Sequence, residues 1–138
     1  MNWILIFLLS LFGVAIGIAE LYGLATSISI LIWIVIFFFY AFMIVKYTRK
    51  KYFLHGFLVS LINGFWIAAI HVIFFNIYMK YNPELAVNYQ NMPHITTHQN
   101  MILIMGPVIG AVLGLISGSF SLVTGKLWRF DDYYENKS

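Results

Sequence analysis

The chain has 138 residues, of which 62% are hydrophobic and 9% charged, against roughly 45–50% and ~25% in ordinary soluble domains. A chain this apolar could not cover the surface of a soluble fold, and its length leaves no room for a separate soluble module. It contains no cysteine, which excludes disulfides, thiol nucleophiles, thiolate metal sites and palmitoylation, and its net charge of +3 is held in short clusters between apolar runs rather than on a nucleic-acid-binding face.

The expected fold is all-α: a polytopic bundle of four transmembrane helices forming one domain over 1–138. Crossing a hydrocarbon core of ~30 Å takes about 20 helical residues, and four segments supply them, at about 3–22, 26–45, 52–79 and 97–125. The first segment has no basic n-region, a long apolar run and Glu20 where a small-residue cleavage site would lie, so it is expected to remain as a helix. Gly23 is placed to end it in a left-handed conformation, with Thr26 or Ser27 capping the second helix in a tight hairpin. The second helix is bulky and apolar all round until Ala41, which suits a lipid-facing element without a direct role.

Between the second and third helices lie Lys46, Arg49, Lys50 and Lys51, whereas Lys126, Arg129 and Lys137 follow the fourth. Only Lys80 lies in the outer loop, 80–96. The positive-inside bias then puts both termini in the cytoplasm and the chain in the cell's inner (plasma) membrane, with a solvated tail over 126–138. Within the outer loop, Asn82-Pro83-Glu84 reads as a cap, a first-turn proline and an early acid, so a short helix is expected over 84–91. Thr96 and Gln99 have capping-box spacing ahead of the fourth helix, which is expected to bend at Gly106–Pro107.

Three of the helices carry small residues four apart: Gly13 and Gly17; Gly56, Ser60 and Gly64, extended by Ala68; and Gly106, Gly110, Gly114 and Gly118. Lipid provides no hydrophobic drive for helix association, so close backbone approach over such rows is the usual substitute. This glycine-zipper pattern predicts helix packing, either inside one chain or between a homo-oligomer or partner and the fourth helix.

Ionisable and polar groups inside a span are functional candidates because they are costly there. Glu20 and His71 should stand at similar depth, roughly 26 and 29 Å up two helices that run the same way. His71 shares a face with Ser60, Asn63 and Gly64, so Glu20, Asn63 and His71 form a candidate ligand or proton site. His94 and His98, four apart, are candidate metal ligands, with Met92, Met101 and Met105 nearby in sequence. His55 reads as an interfacial residue. No HExxH, GxSxG, phosphate-binding glycine loop or paired acidic motif is present, so no enzymatic activity and no cofactor are expected.

The basic turn 46–51, the Gly-Phe-Leu-Val-Ser-Leu segment at 56–61, Asn-Pro-Glu at 82–84 and Gly-Pro-Val-Ile-Gly at 106–110 resemble small bacterial four-helix integral membrane proteins of a family of unknown function. The resemblance lies mainly in the second half and carries over no catalytic residue. The leading expectation is a non-enzymatic inner-membrane protein acting through helix packing, as a homo-oligomer or an accessory subunit of a membrane complex. Its alternative is a small transporter or an ion- or metal-binding membrane protein with a polar site near the outer interface.

Overall fold

A computed structural model of the chain describes residues 1–24, 29–90 and 97–135. The described residues are all-helical, in six elements: α1 (Trp3–Leu21), α2 (Ser29–Tyr47), α3 (Tyr52–Ile73), α4 (Phe75–Tyr81), α5 (Pro83–Gln90) and α6 (His98–Glu135). Three stretches, Trp3–Leu21, Tyr52–Ile73 and His98–Trp128, are long and apolar enough to cross a membrane, and α2 contributes a shorter apolar stretch, Leu31–Tyr47. Large apolar side chains such as Phe7, Leu31, Val35, Phe38, Val112 and Val123 are exposed on the outside, which is compatible with lipid contact.

α3 is the organising helix. It packs most extensively against α6, then against α1, while the α2 backbone lies closer to α6 than to α1. α1 and α2 meet through large side chains, Phe12 lying 5.4 Å from Phe39 and 5.9 Å from Tyr40 between ring centroids. Small residues explain the choice of neighbours. A Cβ built on Gly64 would strike the Gly106 carbonyl oxygen and stand 2.8 Å from Gly110 Cα, and one on Gly114 would stand 2.9 Å from the Phe57 carbonyl oxygen. Gly106 lies against Ala68, and Gly118 against Phe53, so α6 descends along α3 in the opposite direction. Gly56 completes the contact from α3, where a Cβ would stand 2.7 Å from Ser121 Oγ.

The helix ends follow from local chemistry. Asn2 caps α1, its side-chain oxygen accepting from the Leu5 N–H at 3.1 Å. At the other end Gly23 has φ +69°. Leu24 N–H reaches the Ala19 carbonyl at 3.2 Å and Gly23 N–H the Glu20 carbonyl at 3.1 Å, the paired bonds of a Schellman motif. The proposed caps Thr26 and Ser27 fall outside the described residues.

Three expectations are corrected by the structure. The continuous helix over 52–79 breaks at Phe74 (φ −105°, ψ 34°) into α3 and α4. Val72, Ile73, Phe74 and Phe75 are all modest helix formers, and the break is held by Tyr78 donating its N–H to the Phe74 carbonyl at 3.0 Å. Asn82 turns its side chain back instead of capping α5: its amide nitrogen donates to the carbonyls of Glu20 at 3.2 Å and Tyr78 at 3.0 Å, a second bond for each oxygen beside those from the Gly23 and Asn82 N–H groups. α6 starts at His98, in agreement with the expected start near 97, and the Thr97 hydroxyl accepts from the Asn100 N–H at 3.4 Å; Thr96 lies outside the described residues. It also continues beyond Gly125 to Glu135. Gly125 lies against the Tyr52 ring and so serves as a contact rather than a terminator.

α2 is likewise more than a lipid-facing helix. Phe37, Tyr40, Ala41, Ile44 and Val45 are buried, and Phe37, Tyr40 and Ile44 join Leu5, Ile6, Leu9 and Val59 in the apolar core. The other side, including Leu31, Val35 and Phe38, is exposed.

Candidate functional site

Glu20 and His71 sit on the last turns of α1 and α3, which run side by side in the same direction. Gly17 sets their spacing: a Cβ there would stand 3.2 Å from Ile67 Cα and 3.0 Å from Ile70 Cδ1, so a larger residue would hold α1 off. One turn further on, His71 Nε2 lies 3.4 Å from Glu20 Oε2. The two are within ion-pair distance, yet Nε2 has no aligned hydrogen bond among the described residues. The Gly17 carbonyl bonds to the same imidazole. Tyr78, brought back by the break at Phe74, stacks on the His71 ring with centroids 4.0 Å apart and planes at 13°.

These groups open into a cavity of about 250 Å³ between α1, α3, α4 and α6, with Trp33 of α2 on its wall. Glu20, His71 and Tyr78 form its polar end; Ile102, Met105 and Leu113 contribute apolar lining from α6. Ser60, 2% exposed, also lines it, and its hydroxyl has no hydrogen-bond partner among the described residues. His71 itself is 5% exposed, whereas the Glu20 side chain keeps 26% of its surface accessible. The site thus combines a buried ring nitrogen, a carboxyl group with access to the outside and an otherwise apolar channel. Tyr22 and Tyr81 close the adjoining helix ends, with ring centroids 5.3 Å apart.

Asn63 is not part of this cavity. Its amide nitrogen donates to the Tyr40 hydroxyl at 2.8 Å, and its oxygen accepts from the Gly13 N–H at 3.2 Å. Both ends of the amide are committed to joining α1, α2 and α3, so Asn63 reads as a buried cross-brace. His55 is also buried, at 2% exposure, rather than interfacial. Its Nδ1 lies 2.8 Å from the Lys51 carbonyl and its Nε2 accepts from the Asn2 N–H at 3.1 Å, which assigns the neutral tautomer with the proton on Nδ1. His98 begins α6, but His94 and Met92 lie outside the described residues, so the four-residue histidine pair is not formed within them. No group of three His, Asp or Glu side chains suited to a metal occurs among the described residues.

Gly13, Gly17, Gly56, Ser60, Gly64, Gly106, Gly110, Gly114 and Gly118 all face neighbouring helices of the same chain. Sequence reasoning did not single out Tyr40, Trp33 or Tyr78. Tyr40 had a signal, a lone hydroxyl in a run of Ile and Phe, which needs a partner in an apolar setting. Tyr78 had none, because its place over His71 depends on the break at Phe74. No family model, no curated protein and no solved structure matches the chain.

Proposed function

We propose that this is a four-span inner-membrane protein, with both termini in the cytoplasm, that binds a small ligand or ion near the outer interface through Glu20 and His71. The observation that carries this reading is a buried imidazole nitrogen, His71 Nε2, left without a hydrogen bond 3.4 Å from a carboxyl oxygen on the wall of a cavity. A purely structural polar pair would be expected to align its hydrogen bond, since an unmet buried polar group costs roughly 1–3 kcal/mol. Action through a homo-oligomer or a partner packed on the glycine rows has less support, because those rows meet helices of the same chain. The basic turn at 46–51 and the basic residues after Gly125 support the orientation.

Native mass spectrometry of the protein released gently from its own membrane tests the reading. A bound small molecule or ion in fixed stoichiometry is expected, lost in Glu20→Gln and His71→Ala while the fold persists. Ligand-free spectra for the unaltered chain, together with a fixed homo-oligomer or a protein partner, would overturn it in favour of the packing reading.

A further inference from the structure

We propose that the cavity takes the head of a primary alkylammonium ion, which enters in exchange for one proton held by the Glu20–His71 pair. This rests on the ligand-binding reading of the same cavity. The Gly17 carbonyl oxygen accepts from the His71 ring. Because Nε2 has no hydrogen-bond partner among the described residues, the donor is Nδ1. In a neutral ring, Nδ1–H leaves a lone pair on Nε2. That lone pair points into a space shared with Glu20 Oε2, 3.4 Å away. Two bare lone pairs at this separation repel, so the pair carries one proton, on the carboxyl group or on the ring, without an aligned hydrogen bond between them.

A single ammonium nitrogen can take that proton's place. Standing about 2.9 Å from both Nε2 and the carboxylate oxygen, it would donate one N–H to each, within ordinary hydrogen-bond geometry. The exchange balances: one cation enters, one proton leaves through the accessible side of Glu20, and the net charge of the site is unchanged. A metal ion fits less well, since it needs four or more donors and the polar end offers Glu20, His71 and the stacked Tyr78 before the wall turns apolar.

The cavity's lining selects the rest of the ligand. His71 and Ser60 are eleven residues apart on α3, about 16 Å along the helix. The cavity, about 250 Å³, lies along that path, and its apolar wall suits a hydrocarbon chain behind the ammonium head. Between the two polar residues the wall is Gly64, Ile67, Ala68, Ile109 and Leu113. Among the described residues facing the pair, Tyr78 from α4 is the one other titratable side chain; α6 presents Ile102 and Met105 there, and α2 presents Trp33.

The test uses the full chain in lipid nanodiscs at pH 7, where alkylamines near the lysine reference value of about 10.4 are ammonium ions. Hexylammonium is titrated calorimetrically in two buffers of different protonation heat, with 1-hexanol, hexyltrimethylammonium and empty nanodiscs for comparison. The expected result is saturable hexylammonium binding with release of about one proton per ion. Hexanol, without charge, and hexyltrimethylammonium, without an N–H, should each bind at least about tenfold more weakly. Glu20→Gln should abolish proton release. Binding without proton release, or equal binding of the trimethyl ion, overturns the exchange. Saturable hexanol binding as tight as hexylammonium overturns the ammonium class while leaving the cavity a ligand site. Absence of saturable binding by both probes overturns the ligand-site reading as well. The comparison among probes is made on the unaltered chain, so it stands even if Glu20→Gln does not fold.

Discussion

Gly64→Ala is the most demanding test of the α3–α6 contact. The added methyl would fall onto the Gly106 carbonyl oxygen and stand 2.8 Å from Gly110 Cα and 3.0 Å from Gly110 N. All three atoms are backbone, so no rotamer change relieves them. Carbon atoms pack at about 3.5–4.0 Å, so α6 must withdraw by roughly 1 Å and loosen its contacts above and below. Overpacking of this kind costs about 1–3 kcal/mol, with the upper end expected where backbone cannot yield, and alanine returns about 1 kcal/mol of helix propensity. The net expectation is a loss of about 2 kcal/mol. Gly17→Ala is the control: its nearest neighbour is the tip of Ile70, 3.0 Å from the new Cβ, which can rotate away, although Ile67 Cα at 3.2 Å must also give. That variant should stay within about 1 kcal/mol of the unaltered chain. Equilibrium unfolding of both in mixed micelles by increasing SDS fraction measures the difference. Gly64→Ala as stable as the unaltered protein, or more so, would refute the argument that backbone contact at this point decides the packing.

Other consequences can be checked separately. A double-mutant cycle on Asn63→Ala and Tyr40→Phe should return a coupling of about 0.6 kcal/mol, up to about 1.7, as for interhelical hydrogen bonds in membranes; zero coupling would mean the 2.8 Å contact contributes nothing. His55→Phe removes the acceptor of the Asn2 N–H, so hydrogen exchange should quicken in the first turn of α1 and not at α5. Single cysteines at Asn88 and Lys50 test the proposed orientation: an impermeant maleimide should label the first in intact cells and the second only after permeabilisation. Labelling in the reverse order would invert the topology.

What could be read from the sequence was whatever one segment states by itself. Run length identified the apolar stretches, because hydrocarbon thickness converts directly into residue number. Gly23 signalled the end of α1 since a left-handed residue is what a helix stop requires. The depth of Glu20 and His71 followed from counting turns along two helices rising together, and the structure puts their side chains 3.4 Å apart. What was not legible depends on relations between segments. The partner of the Asn63 amide could have been any polar group at its depth, and its choice of Tyr40 and Gly13 is set by how α1 and α2 rotate against α3. Asn82 carried a correct local signal for a helix start, but the carbonyls of Glu20 and Tyr78, each with a second lone pair to offer, captured its side chain. The break at Phe74 has no Gly or Pro to announce it.

The small-residue rows and the cavity have one physical origin. Gly64, Ala68, Gly106 and Gly110 bring the α3 and α6 backbones together, and the same four residues line the cavity. Short side chains allow close approach along the contact line, but beside that line they leave volume that no side chain fills. Larger residues could fill it only by forcing the helices apart, as worked out for Gly64→Ala. α3 cannot close the space from above either, because the break at Phe74 turns α4 so that Tyr78 stacks on His71. Close packing and a polar-ended cavity are therefore compatible uses of the same glycines. A protein needing only a rigid bundle would gain nothing from ending that cavity with a buried imidazole left unaligned beside a part-exposed carboxyl group, and this is the ground for proposing function there.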